Sequence, residues 1–111
     1  MPVRQNIRKG AVVYYDFEWD PKKEQANIRR RNLSFRLAAT VFHDPNQLTA
    51  YDEEHSEEEE RWITLGLDSR GVLLVVVHTF TEESEDVIRV RIISARKAEP
   101  SEEMQYQERS R

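Results

Sequence analysis

Arg89 and Arg91 stand two residues apart in Ile88-Arg89-Val90-Arg91-Ile92. In a β-strand that spacing puts both guanidiniums on one face and the three aliphatic residues on the other. A strand needs no arginine to be a strand. Aligned guanidiniums need an anionic partner, and phosphate suits their forked geometry best. Ser94-Ala95-Arg96-Lys97 adds two more cations where the strand ends. The chemistry these residue types point to is the binding of phosphate groups. His78 is a second candidate, because imidazole titrates near neutrality and can move a proton. It alternates with Val72, Leu74, Val76 and Phe80, so the alternative is a satisfied core histidine. His43 and His55 lie at a helix end and in an acidic run, and no spacing among the three histidines resembles a metal site. Neither a metal nor another cofactor is expected.

Composition sets the frame for these residues. The chain has 111 residues, 38% hydrophobic and 34% charged, which supports one modest core under a heavily solvated exterior. With no Cys there are no disulfides and no thiolate ligands, and a reducing compartment follows as the expectation. The longest apolar run, Val72 to Val77, is too short to span a bilayer, and no apolar signal segment is visible near Met1. Cytoplasm is the expected location, with no membrane partner. The net charge of −4 argues against nucleic acid until its distribution is read. Seven acids fall in the run Asp52 to Glu60, and without them 17 cations face 14 anions. Four more acids cluster between Glu82 and Asp86. The remaining surface can hold a basic patch, and the acidic runs themselves read as solvated connectors.

The elements that must position the cations follow from the residue pattern. Residues 1–12 read as a flexible, basic leader, and residues 13–111 as a single domain. Val13, Tyr15, Phe17 and Trp19 form one face of a strand that stops at Asp20-Pro21, where Asp20 suits an N-cap and Pro21 the first helical position. A helix then runs from Pro21 to about Arg31. Lys22, Ala26 and Arg30 share one stripe, and Lys23, Asn27 and Arg31 the next. That stripe is either a basic face for RNA or an acidic partner, or a solvated face pairing locally with Glu18, Asp20 or Glu24. Asn32 can close the helix in the left-handed conformation, and Ser34 can cap a second one. Phe35, Ala38, Ala39 and Phe42 make that second helix a core element, ended by Asp44-Pro45. A short strand near Gln47–Tyr51, a hairpin from Arg61–Leu67 to Val72–Phe80 through Asp68-Ser69-Arg70-Gly71, and the arginine strand follow. A polar helix from Glu99-Pro100-Ser101 ends the chain, anchored by Met104 and Tyr106. The expected class is α+β: an antiparallel sheet of four or so strands, two N-terminal helices on one face and a short C-terminal helix. The opposite face is expected to be open, with Arg89 and Arg91 pointing toward it.

Two blocks appear together in this order. One is Asp16-Phe17-Glu18-Trp19-Asp20 with Lys23 and Asn27; the other is Arg89, then Ile92-Ile93-Ser94-Ala95-Arg96-Lys97-Ala98. Their pairing resembles the BrnT family of bacterial toxins. Ser34-Phe35, Ala38-Ala39, Phe42, Asp44-Pro45, Glu60-Arg61, Gly66, Val75, Glu102 and Tyr106 agree with it, so the match runs from Tyr15 to Tyr106. The resemblance implies a RelE-like fold and a metal-independent endoribonuclease that blocks translation. It also implies a BrnA-like antitoxin with a ribbon-helix-helix domain, through which alone the toxin reaches DNA. One departure stands out: family members commonly carry Lys-His-Gly after the first helix, where this chain has Arg30-Arg31-Asn32. That missing histidine motivates an alternative, a catalytically degenerate toxin that serves as a binding module or co-repressor.

A ribonuclease without a metal must deprotonate a 2′-hydroxyl, stabilise charge on phosphorus and protonate the leaving oxygen. Arg61 opens a strand after the family glutamate and is the first catalytic candidate; the alternative is an ion pair with Glu60 or Glu59. Arg96 matches the family motif, with a structural pair to Glu18 or Asp20 as its alternative. His78 and Glu18 complete the expected proton-transfer set. Arg89, Arg91, Lys23 and Arg30 are the expected contacts to RNA phosphate.

Overall fold

The computed structural model describes residues 2–8 and 11–109. Among these, seven strands form one sheet: β1 (Pro2–Arg8), β2 (Ala11–Trp19), β3 (Leu48–Tyr51), β4 (Trp62–Leu67), β5 (Leu73–His78), β6 (Thr81–Glu82) and β7 (Val87–Lys97). Their order is β1-β2-β7-β5-β4-β3, with β6 laid on β7. The helices are α1 (Pro21–Arg31), α2 (Phe35–Ala39), which tightens into a 3-10 turn over Thr40–His43, and α3 (Pro100–Arg109). Of the expected leader, Met1, Lys9 and Gly10 lie outside the described residues. Pro2–Arg8 pairs antiparallel with β2 as β1, and Ala11 and Val12 open β2.

The α+β class is as expected, and two features of the expected architecture are corrected. The sheet is larger than four strands, and it is mixed, because β2 runs parallel to β7 from Tyr14↔Val87 to Trp19↔Ile92. A parallel neighbour requires a crossover, and everything from α1 to β6 lies between these two strands in the chain. Nor are the helices confined to one face. α1 and α2 cover one side, the inner face. α3 docks on the other, the outer face, where Tyr106 is buried with Leu65 and Val75. Met104, expected as a second anchor of α3, is 61% exposed.

Local chemistry places the inner-face helices. Asp20 Oδ1 accepts from the Lys22 amide at 2.9 Å, Pro21 fills the first helical position, and Asn32 ends α1 at φ 55°. Ser34 Oγ accepts from the Leu37 amide at 3.1 Å to start α2. Glu24 joins the two helices to the sheet: its carboxylate accepts from the Trp19 indole at 3.2 Å and from the Phe35 amide at 2.8 Å. Under α2, Phe42 packs on Phe17 and Tyr15, and the core continues through Val90, Ile92, Leu74 and Val76.

β7 carries the irregularity that matters for function. Val77 pairs with Ser94 but His78 pairs with Ile92, so Ile93 is an extra residue on β7, a β-bulge. In a regular strand Arg91 and Arg96, five apart, would face opposite sides. The extra residue resets the alternation. Ala95 then faces the inner core beside Val76, and Arg96 pairs with Val75 on the outer face.

His78 is fully buried on the inner face, edge-on to Phe42 at 4.9 Å. One ring nitrogen meets Thr64 Oγ1 at 2.7 Å and the other the Thr79 carbonyl at 2.8 Å. Burial pushes its pKa down to about 4, from 6.5. Between those values protons bind the unfolded chain preferentially, so stability is present above 6.5 and is lost as pH falls toward 4. The imidazole alone is expected to remove about 3 kcal/mol between pH 7 and pH 4. Urea unfolding of wild type and His78→Leu across that range checks this: the variant's stability should fall less steeply, and identical slopes would contradict it.

Candidate functional site

A cleft of about 780 Å³ opens on the outer face of the sheet. Its floor is Ile63 of β4, Val75 and Val77 of β5, and Ile93 and Ser94 of the bulged β7. Arg30 and Arg31 of the last turn of α1, Arg61 at the entry to β4, and Arg96 of β7 are among its lining residues. The segment Tyr51–His55 supplies the remaining wall. Four arginines from three elements meet on one concave surface, whose remaining wall also carries Asp52, Glu53 and Glu54.

α1 reaches this cleft because of Asn27. β2 ends at Trp19, which leaves the edge of β7 beyond Ile92 without a strand neighbour. Asn27, 3% exposed, covers it. Its Oδ1 accepts from the Ala95 amide at 3.2 Å, and its Nδ2 donates to the Leu33 carbonyl at 2.9 Å. One side chain therefore continues the sheet's hydrogen bonding and pins the turn after α1. Arg30 and Arg31 follow it by three and four residues and so lie beside the cleft.

Arg61 is held at its backbone. The Asp52 amide donates to the Arg61 carbonyl at 2.8 Å, and the Arg61 amide donates to Ser56 Oγ at 3.0 Å. Its side chain is half-buried. Nε is buried without a hydrogen-bond partner among the described residues, and a terminal nitrogen lies 3.9 Å from Glu59. A buried unmatched N–H costs about 1–3 kcal/mol, and an incoming oxygen would relieve that cost.

Arg96 is also a lining residue of the cleft, and its guanidinium is engaged. It makes a bidentate pair with Glu102 of α3, both bonds 2.8 Å. The expected partners Glu18 and Asp20 are not the ones it meets. The hydrogen bonds from Arg96 hold the Glu102 carboxyl below the usual carboxylate range, and the same pair raises Arg96. A depressed carboxylate stabilises the fold above its unfolded pKa and stops doing so as pH falls through its folded one. Glu102→Gln should therefore cost about 1 kcal/mol at neutral pH and progressively less in acid. Thermal unfolding at two pH values measures this, and an equal loss at both would contradict it.

The other expected residues are placed apart from the cleft. His78 is in the inner core, so the structure does not offer it to a ligand on the outer face. Arg89 and Arg91 do face outward, and the partners they meet are carboxylates. Arg89 lies 3.6 Å from Asp16 and 3.3 Å from Glu83, and Arg91 donates to Glu59. The outer face near them is thus neutralised by acids of neighbouring segments. Glu59 titrates below the usual range, first through the bond from Arg91 and then through the charges of Arg91, Arg61 and Lys23. Lys23 is exposed on α1 and Glu18 is exposed on β2 opposite Arg91; neither lines the cleft. Of the eight expected residues the cleft gathers Arg30, Arg61 and Arg96.

Four lining residues lie beyond the sequence expectation: Arg31, Ser94, His55 and Asp52. Arg31 shared a helical stripe with Lys23 and Asn27, a signal that pointed to it. Ser94 reaches the outer face only through the bulge. His55 and Asp52 were concealed inside a run of acids; Asp52 is nearly buried and accepts from His55 Nδ1 at 3.0 Å. Among the described residues no three His, Asp or Glu side chains converge as a cation's ligand set. No described helix is long and apolar enough to cross a membrane.

A family model described as "Ribonuclease toxin, BrnT, of type II toxin-antitoxin system" matches residues 19–102. Among solved structures, the chain is similar to the ribonuclease toxin BrnT of Brucella abortus, determined at 1.1 Å. The two are 19% identical; the match covers 73% of this chain and 92% of that one, with a TM-score of 0.49. No curated protein matches the chain.

Proposed function

The chain belongs to the BrnT family of ribonuclease toxins of type II toxin-antitoxin systems, and we propose that it cleaves RNA in the arginine-lined cleft on the outer sheet face. The carrying observation is the convergence of Arg30, Arg31, Arg61 and Arg96 there, with Arg61 Nε buried and unmatched. On this reading the fold is RelE-like and the enzyme is a metal-independent endoribonuclease. The 2′-oxygen attacks the adjacent phosphorus, the 5′-oxygen leaves, and a 2′,3′-cyclic phosphate remains. Negative charge grows on the non-bridging oxygens as the phosphorane forms. Fixed guanidinium donors stabilise that charge more than the ground state, which is the term that accelerates the reaction. Arg61 takes this role. Arg30 and Arg31 hold flanking phosphates at the α1 side. Arg96 stays paired with Glu102 and shapes the wall of the cleft. Cleavage of this kind inhibits translation, and an antitoxin of the ribbon-helix-helix class covers the cleft and neutralises it. The toxin then reaches DNA only through that partner.

A second reading is a toxin-like binding module without catalysis. One observation favours it: Arg89, Arg91 and Arg96 are all occupied by carboxylates. Induced expression separates the two. The enzyme reading predicts arrested growth and fragmented RNA, with activity retained in EDTA. Normal growth, with RNA intact in the presence of ribosomes and without them, would leave the binding module.

A further inference from the structure

We propose that His55, oriented by Asp52, is the general base of the cleft. The inference rests on the cleft being the RNA-cleaving site. The acidic run is not merely a solvated connector. A 3-10 turn over Glu53–His55 lifts the imidazole to the cleft rim, where it lines the same cavity as Arg61. The His55 side chain is 63% exposed, whereas that of Asp52 is 10% exposed. His55 Nδ1 lies 3.0 Å from Asp52 Oδ2 and 3.2 Å from Oδ1. A carboxylate accepts only, so Nδ1 carries a proton, and in the neutral ring Nε2 presents a lone pair. That is the tautomer a base requires.

The dyad is also tied to Arg61. The Asp52 amide donates to the Arg61 carbonyl at 2.8 Å. The Ser56 hydroxyl donates to the Asp52 carbonyl and accepts from the Arg61 amide at 3.0 Å. The loop between Asp52 and Arg61 is thus closed at its neck. Base and phosphate-binding cation sit on one small ring of hydrogen bonds, which fixes their relative placement. His78, in contrast, has both ring nitrogens occupied in the core. His43 is not among the residues that line this cleft.

The proton balance is simple. His55 Nε2 takes the 2′-hydroxyl proton as the 2′-oxygen bonds to phosphorus. The phosphorus–5′-oxygen bond breaks, and the departing 5′-oxygen takes a proton from water. His55 returns its proton to solvent after product release. No metal, oxidant or second substrate is required. His55 touches the reacting hydroxyl and is a catalytic residue; Asp52 acts through it and is a positioning residue.

The test uses the full chain and a short single-stranded RNA, with and without ribosomes. His55→Ala should lower kcat about 10²–10³-fold with KM little changed, as removal of a general base does. Added imidazole should restore part of the rate to His55→Ala and none to Arg61→Ala. Asp52→Asn should lower kcat without raising KM, and should have no further effect in the His55→Ala background. A His55→Ala protein that cleaves within about threefold of wild type, or is not rescued by imidazole, overturns the inference while the ribonuclease reading stands. Wild-type protein that leaves RNA intact under both conditions overturns both.

Discussion

Arg61→Ala is expected to slow RNA cleavage by about 10²–10³-fold while the chain stays folded, the loss typical when one fixed donor to a developing oxyanion is removed. The side chain lines the cleft and meets Glu59 only weakly, at 3.9 Å, so little native structure depends on its head. Its Nε is buried and unmatched, so its truncation removes a cost as well as a contact. Its backbone bonds to Asp52 and Ser56 survive in alanine. Stability should consequently change by no more than about 1 kcal/mol. Arg61→Lys should recover only part of the rate, because an ammonium has the charge but not the fork. Single-turnover cleavage together with thermal unfolding checks this. A variant that loses stability and activity in proportion would make Arg61 a structural residue.

The largest stability effect should come from Asp44→Ala. Asp44 is 8% exposed and was legible in the sequence only as part of a helix stop. Its Oδ2 accepts from the Tyr106 hydroxyl at 2.5 Å and from the Leu67 amide at 2.8 Å, and its Oδ1 from the Asn46 amide at 2.8 Å. One carboxylate thereby joins the end of the α2 turn, the end of β4 and α3. Its removal strands a half-buried amide and a buried phenol, each costing about 1–3 kcal/mol. A total near 3–5 kcal/mol is expected, with Tm lower by roughly 15 °C or more. Tyr106→Phe removes the hydroxyl's bond to Asp44 and should cost about 1 kcal/mol. Hydrogen exchange should show α3 released first in both variants. An Asp44→Ala protein with wild-type Tm would contradict this account of how α3 is held.

These two residues show where the sequence was legible. The stops and starts around α1 and α2 were readable because their chemistry is local: Asp20, Pro21, Asn32 and Ser34 act within four residues of themselves. The inner face was readable from periodicity, since Val13, Tyr15 and Phe17 alternate and Phe35, Ala38 and Phe42 share a helical stripe. What could not be read depends on contacts across the chain. The parallel pairing of β2 with β7 joins segments about 70 residues apart and leaves no local mark. α3 was expected to share a face with the other helices, because nothing in Tyr106 itself names Asp44 as its partner. Asn27 and Ala95 belong to the two blocks that carry the family resemblance, and the hydrogen bond between them explains why the blocks occur together.

The site divides the same way. Arg61 and Arg96 were visible as strand-terminal cations. Whether Arg89 and Arg91 meet phosphate or carboxylate depended on where Asp16, Glu59 and Glu83 would lie, and alternation along one strand cannot supply that. A single bulge residue, Ile93, decides that Arg96 faces the cleft. His55 stands among seven acids, and in that setting a histidine reads as solvated. Only the burial of Asp52 makes it part of a pair.

The central claim is that RNA is held in the outer-face cleft between α1, β4 and β7. NMR titration of isotope-labelled protein with a single-stranded RNA made uncleavable by 2′-deoxy substitution tests it most directly. The account predicts saturable shifts of the Arg30, Arg61, Ser94 and His55 resonances, with the His78 ring and the inner-face helix α2 unmoved. Shifts confined to Arg89, Arg91 and Glu83, or to the α2 face, with the cleft silent, would contradict it.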